Sequence, residues 1–146
     1  GFISQRPEIE YNKGPDVLWK IGNLNFFVIE CKNEATVTTI EKDYCNQLNG
    51  SCNWFEEKYD HTCSYAPIMI HPSFVFENAA SPHSRARIIT KEKLAKFCSS
   101  VRDFIKAVSS NNELGNPESI RQKLIAYRLR ADDLIDNYTI SYKVKN

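Results

Sequence analysis

A strongly apolar segment that ends in charged residues constrains this chain more than any other feature. The apolar residues 26–29 are followed at once by Glu30, Cys31 and Lys32. The apolar run predicts a strand buried in a sheet. Because side chains alternate along a strand, Glu30 and Lys32 share one face while Cys31 points to the other. Burying ionised groups costs free energy unless partners compensate them, so the segment predicts a functional site at the end of a core strand.

The segment before it predicts a second strand that pairs with the first. Gly14-Pro15 is a turn signal, and a strand is expected from Asp16 to Ile21. Gly22–Asn25 supplies the hairpin turn, since Gly and Asn accept positive φ angles. The strand after the turn is expected from Phe26 to Lys32. A hairpin of this kind can bring the carboxylate of Asp16 beside the charged end of the apolar strand.

The elements after the hairpin are expected in the order helix, strand, helix, helix and strand, and this order predicts a mixed α/β fold with a central sheet flanked by helices. Gly50 is unfavourable in the middle of the first of these helices or marks a break in it. The expected elements are an edge strand over residues 2–11, a helix that begins near Thr38 or Thr39, a buried strand over 65–71, irregular chain over 73–89, a helix over 91–108, a linker over 109–116, a helix that begins at Pro117 and a final strand over 138–144.

Length and charge limit the classes of function. A chain of 146 residues fits one domain, so we expect residues 1–146 to form a single domain. The chain begins abruptly at Gly1-Phe2-Ile3, and we expect it to be a fragment of a longer protein. The net charge is +1, with 19 basic and 18 acidic residues, so any basic surface must be local. The densest basic run contains Arg85, Arg87 and Lys91, which are candidates for contacts with nucleic-acid phosphates. A solvated helix start is the alternative explanation for that run.

The expected compartment is the cytoplasm. Five scattered cysteines fit reduced thiols better than a set of disulfides. No signal-peptide pattern opens the chain and no apolar run has the length of a membrane span, so we expect no membrane partner.

Two carboxylates and a lysine at one sheet end are suited to metal-dependent phosphodiester cleavage. Mg²⁺ prefers oxygen ligands, often one or two carboxylates with water and a phosphate oxygen. Asp16 and Glu30 can supply the carboxylates, and the backbone carbonyl of Cys31 can be a third ligand. Lys32 would orient or deprotonate the attacking water, or stabilise the transition state. The alternative is a surface hairpin with an ion pair of little energetic value.

Pro15-Asp16, a spacer and Glu30-Cys31-Lys32 resemble the PD-(D/E)XK nuclease superfamily, which has the restriction-endonuclease-like fold. The resemblance covers roughly the first half of the chain and extends to nuclease-like domains attached to helicases. It implies Mg²⁺ or Mn²⁺ bound by Asp16 and Glu30, a catalytic role for Lys32, and DNA as the substrate. It also implies that a helicase can be a further partner within the same polypeptide.

The same resemblance suggests further site residues and a rival function. Many members place a polar residue on the helix after this strand, and Gln47 has a suitable position. Some members carry another acid on a first helix. Here that helix and its acid are expected before Gly1, or else Glu8 or Glu10 replaces the acid. The predicted function is a metal-dependent deoxyribonuclease. The alternative is a non-catalytic module of the same fold that binds nucleic acid or a partner within a larger DNA-processing protein.

Overall fold

A computed structural model describes residues 3–110 and 115–146, and a six-stranded sheet is its main feature. In this sheet the strands lie in the order β1, β2, β3, β4, β6 and β7. The pairs β3–β4 and β4–β6 are parallel and the other pairs are antiparallel, while β5 and β8 form a separate parallel pair. The strands are β1 (Ile3–Gln5), β2 (Val17–Lys20), β3 (Asn25–Cys31), β4 (Ser64–Ile70), β5 (Val75–Phe76), β6 (Arg87–Ile89), β7 (Ile140–Ser141) and β8 (Lys143–Val144).

Helices complete a mixed α/β architecture, as the order of elements predicted. They are α1 (Pro7–Tyr11), α2 (Lys42–Tyr59), α3 (Lys91–Ser110), α4 (Pro117–Ala126) and α5 (Ala131–Tyr138), with a 3₁₀ turn at Asp60–Thr62. The described residues form two compact units, one with the residues up to Lys91 together with Ile140–Asn146, the other with Glu92–Thr139. A single domain over residues 1–146 stays a prediction. Within residues 3–110 and 115–146, no helix is both long enough and apolar enough to cross a membrane.

The core of the sheet unit lies between β3 and α2. Alternate residues of β3, Phe26 and Val28, belong to one buried cluster with Leu48 and Phe55 of α2. The rings of Phe26 and Phe55 lie 5.2 Å apart, a distance at which aromatic pairs attract each other. Glu30 is the next residue on this face of β3. The helix that covers the apolar part of the strand therefore also covers its charged end.

A proline lies within the sheet at a position that costs no strand-to-strand hydrogen bond. Pro67 of β4 is the register partner of Val28 in β3. The N–H of Ser64 donates toward the β3 side of β4, to the Leu24 carbonyl, so the nitrogen of Pro67 faces the opposite side. On that side, in the part of the chain that the structure describes, β6 pairs with Ile68–Ile70 and not with Pro67. Pro67 thus stands where β4 is locally an edge, which is where a sheet accepts proline.

The helical unit, Glu92–Thr139, has its own aromatic packing. The rings of Phe97 and Tyr138 lie 5.2 Å apart with an edge-on geometry. The Tyr138 hydroxyl donates to the Tyr127 carbonyl at 2.8 Å. Leu134, on the same helix as Tyr138, is buried. These contacts connect α3, the end of α4 and α5.

The edge strand expected over residues 2–11 is wrong beyond Gln5. Residues 7–11 form α1 instead, with Pro7 at its first position. The Glu10 carboxylate accepts a hydrogen bond from the Arg6 N–H at 3.1 Å, which satisfies a backbone donor at the helix start. The weak alternation of polar and apolar residues therefore predicted a strand where the chain forms a short helix.

Other expected elements are corrected where the partners of a segment lie far away in sequence. Residues 73–89 contain β5 and β6, whose hydrogen bonds come from β8, β4 and β7. The last helix is two helices, because Arg128 adopts a left-handed φ of 56° between them. The final strand is likewise two short strands, and Tyr138 ends α5. Ser109 and Ser110 belong to α3, so the linker expected over 109–116 is wrong at these two residues; residues 111–114 lie outside the described residues.

The helix predicted after the hairpin starts later than expected, but it is not broken at its glycine. The element begins at Lys42, later than Thr38 or Thr39. It continues without interruption through Gly50, where a side chain would meet nothing within 4 Å. Gly50 is therefore an unfavourable residue in a continuous helix and does not end it.

Candidate active site

Three charged groups predicted from the sequence lie together at the end of β3. Lys32 Nζ is 3.7 Å from Glu30 Oε2 and 4.0 Å from Asp16 Oδ2. Glu30 belongs to β3, Lys32 is the first residue after β3, and Asp16 is the residue before β2. The lysine thus faces one carboxylate from each of the two hairpin strands.

The hairpin fixes Asp16 through the backbone of the neighbouring strand. Val17 is the register partner of Ile29, which places Asp16 opposite the charged end of β3. Asp16 Oδ2 accepts a hydrogen bond from the Cys31 N–H at 2.7 Å. Because the N–H and C=O of one strand residue face the same neighbouring strand, the Cys31 carbonyl faces this side as well.

A residue missed by the sequence analysis holds the other carboxylate. Ser51 Oγ donates to Glu30 Oε1 at 2.6 Å, and only 6% of Ser51 and 5% of Glu30 are exposed. Ser51 lies on α2 one turn after Gln47. Its signal in the sequence is a small polar residue within the apolar stripe that includes Leu48 and Phe55.

These residues line one open cleft of about 450 Å³. Gln47, the polar residue that the resemblance suggested on this helix, contributes to its wall. Of the two upstream acids, Glu8 lines the cleft, whereas Glu10 is used to cap α1. The Glu8 N–H donates to the Pro15 carbonyl at 3.3 Å, which connects α1 to the segment that carries Asp16. The described lining residues are Glu8, Gly14, Asp16, Glu30, Lys32, Gln47, Gly50 and Ser51.

Lys32 has a further contact on its outer side. Its Nζ lies 5.6 Å from the centre of the Tyr44 ring on α2, within the range of a cation–π interaction. A second opening of about 340 Å³ continues from Lys32 along Tyr44 and residues 33–35. The lysine therefore stands between two adjoining recesses of the surface.

Burial and charge separate the protonation behaviour of the three acids. Burial raises the pKa of Glu30 to about 7, although the hydrogen bond from Ser51 opposes this change. Burial also acts to raise the pKa of Asp16, but hydrogen bonds from the Cys31 N–H and from Glu8 outweigh it, so that the pKa of Asp16 is lowered. The hydrogen bond with Asp16 and its negative charge raise the pKa of Glu8.

The ligands available here suit a hard cation held by few protein groups. Within the described residues, no group of three or more His, Cys, Asp and Glu side chains is arranged to hold one metal ion. Asp16 and Glu30 nevertheless offer two carboxylates, and the Cys31 carbonyl faces the same side. Mg²⁺ commonly takes one or two carboxylates and completes its shell with water and phosphate oxygens. The chemistry of these donors fits such an ion.

The basic run expected to contact phosphates is not gathered at this cleft. Arg85 lies over the Tyr65 ring, 5.0 Å from its centre, and Arg87 Nη1 donates to Ser141 Oγ at 2.6 Å. Lys91 is the first residue of α3. Arg85, Arg87 and Lys91 do not occur among the described residues that line the cleft.

The comparisons with known proteins leave the family open. No protein-family model matches the chain, and neither a curated protein nor a solved structure matches it. Arguments about function therefore rest on the geometry of the cleft.

Proposed function

We propose that the cleft is the active site of a deoxyribonuclease that depends on Mg²⁺ or Mn²⁺. The observation that carries this proposal is that carboxylate oxygens of Asp16 and Glu30 both lie within 4.0 Å of Lys32 Nζ, in an open cleft. When bound, the cation supplies positive charge against the phosphate and lowers the pKa of water. Its ligands in this proposal are the two carboxylates and the Cys31 carbonyl.

The side chains have separate roles in the proposed reaction. Lys32 carries a positive charge at the point where a scissile phosphate would lie, and it orients the attacking water or stabilises the developing negative charge. Gln47 offers an amide on the cleft wall for a hydrogen bond to water or phosphate. Glu8 is a further carboxyl group on the cleft wall, and a divalent cation in the cleft would favour its ionised form beside Asp16.

The proposed fold is restriction-endonuclease-like. In support, the hairpin β2–β3 is followed by a helix that covers it and then by the parallel strand β4, which is the order implied by the resemblance. The short helix α1 lies before the hairpin and carries Glu8, the candidate upstream acid.

Two substitutions test the assignment of chemistry to this cleft. Asp16→Ala and Lys32→Ala are expected to lower the rate of DNA cleavage at least a hundredfold, because each removes a group that touches the reacting atoms. Cleavage of single- and double-stranded DNA is measured with Mg²⁺ and with Mn²⁺. Lys13→Ala removes an exposed lysine outside the cleft and should leave the rate unchanged. An unaltered rate in the Asp16 or Lys32 variant, with folding verified by circular dichroism, contradicts the proposal.

A non-catalytic binding module is the second candidate, and one observation favours it. The arginines of the basic run are engaged with Tyr65 and Ser141 and do not line the cleft, which leaves Lys32 as the cation on its described wall. Calorimetric titration separates the two functions. Heat of Mn²⁺ binding that disappears in Glu30→Gln supports the nuclease, whereas no binding at millimolar Mn²⁺ supports the module.

A further inference from the structure

The hydroxyl of Ser51 gives the two carboxylate oxygens of Glu30 different partners. Ser51 Oγ donates to Oε1 at 2.6 Å, while Oε2 lies 3.7 Å from Lys32 Nζ on the cleft side. A serine hydroxyl has a single proton to donate, and a carboxylate oxygen that accepts it is held in direction. The oxygen that remains for a ligand is therefore Oε2.

Ser51 donates to Glu30 although another acceptor is available to a serine within a helix. Serines within helices often donate to the backbone carbonyl four residues earlier. Ser51 instead donates across to β3, over a separation of 21 residues. Both groups are more than nine-tenths buried, so water does not compete freely for the bond.

We propose that Ser51 is a positioning residue that presents Glu30 to a divalent cation through one oxygen. The inference rests on the proposed function and adds a residue of α2 to it. Without the hydroxyl, the carboxylate rotates and loses a hydrogen bond that favours its ionised form. Residues that orient a metal ligand in this way typically change metal affinity ten- to a hundredfold when they are removed.

The test measures Mn²⁺ affinity by calorimetry on the whole chain, in parallel with thermal unfolding. Ser51→Ala is expected to weaken Mn²⁺ binding roughly ten- to a hundredfold. Ser51→Thr keeps the hydroxyl and should stay within a few-fold of the original affinity. Asn53→Ala, at an exposed position of the same helix, is the matched control and should bind as before.

A further variant keeps the proposal open to refutation if Ser51→Ala does not fold. Ser51→Cys has nearly the same size but a weak donor, so it too should lose affinity. Unchanged affinity in Ser51→Ala or Ser51→Cys overturns the role of Ser51 while Asp16→Ala still reports on the proposed site. Absence of Mn²⁺ binding by the unaltered chain at millimolar concentrations overturns both the proposed function and this inference.

Discussion

Replacing Glu30 by glutamine tests how much free energy the buried carboxylate costs. Burial raises the pKa of Glu30 from 4.5 to about 7. The folded chain therefore holds this proton more tightly than the unfolded chain. The contribution to stability is complete at pH values below 4.5 and is lost as the pH rises to 7 and above. That difference in pKa corresponds to a free energy of roughly 3 kcal/mol.

The assay is urea unfolding at pH 5 and pH 8 in the presence of a chelator. Trp19 and Trp54 both belong to the sheet unit, so their fluorescence follows the unfolding of the unit that contains the cleft. Between the two pH values the original chain should lose about 2 to 3 kcal/mol more stability than Glu30→Gln. Comparing two pH values removes any effect of the substitution that does not depend on pH.

An exposed carboxylate of α2, the helix that packs against β3, supplies the control. Glu57→Gln should keep the pH dependence of the original chain, since Glu57 lies on the solvent side of α2. Equal pH dependence in the original chain and in Glu30→Gln would refute the reasoning. It would mean that Ser51 and Lys32 compensate the buried charge in full.

Further predictions concern the residues around the cleft. Gly14→Ala should lower the free energy of unfolding by about 1 to 3 kcal/mol in urea titrations, because Gly14 has a φ of 100° and its new Cβ would lie 2.9 Å from the Trp54 ring. Its counterpart Gly50→Ala should raise stability by about 0.5 to 1 kcal/mol, and a loss there would contradict the continuous helix. Burial raises the pKa of the Cys52 thiol to about 12, so iodoacetamide at pH 8 should modify this thiol only after unfolding. Mass spectrometry measures the modification, and labelling of the folded chain at the rate of a free thiol would disprove the prediction.

The sequence was sufficient to predict the meeting of Asp16, Glu30 and Lys32 because their geometry is local. Alternation along β3 places Glu30 and Lys32 on one face, and the hairpin turn brings Asp16 beside them. Only the strand limits shifted, since β3 covers Asn25–Cys31 and Lys32 follows it. These are consequences of one short stretch of chain.

Contacts that depend on packing could not be predicted in the same way. Whether Ser51 meets Glu30 depends on the rotation of α2 about its axis, which the core residues on its apolar side decide together. The position of the Arg85 guanidinium depends likewise on its contact with the ring of Tyr65, twenty residues earlier in the chain. Charge density along the sequence cannot tell a phosphate-binding cluster from cations already engaged elsewhere.

The proline in β4 has a consequence for the residues that this position can accept. Within the described residues, β6 pairs with Ile68–Ile70, and before that point the neighbouring chain places Arg85 over the Tyr65 ring. Pro67 is buried, so an N–H at this position would lie in the interior, on a side where the pairing with β6 has not yet begun. A buried backbone donor without a partner costs free energy, and proline has no N–H to leave in that state. The residue that is least common inside strands thus avoids an unsatisfied backbone group in the sheet that carries the cleft.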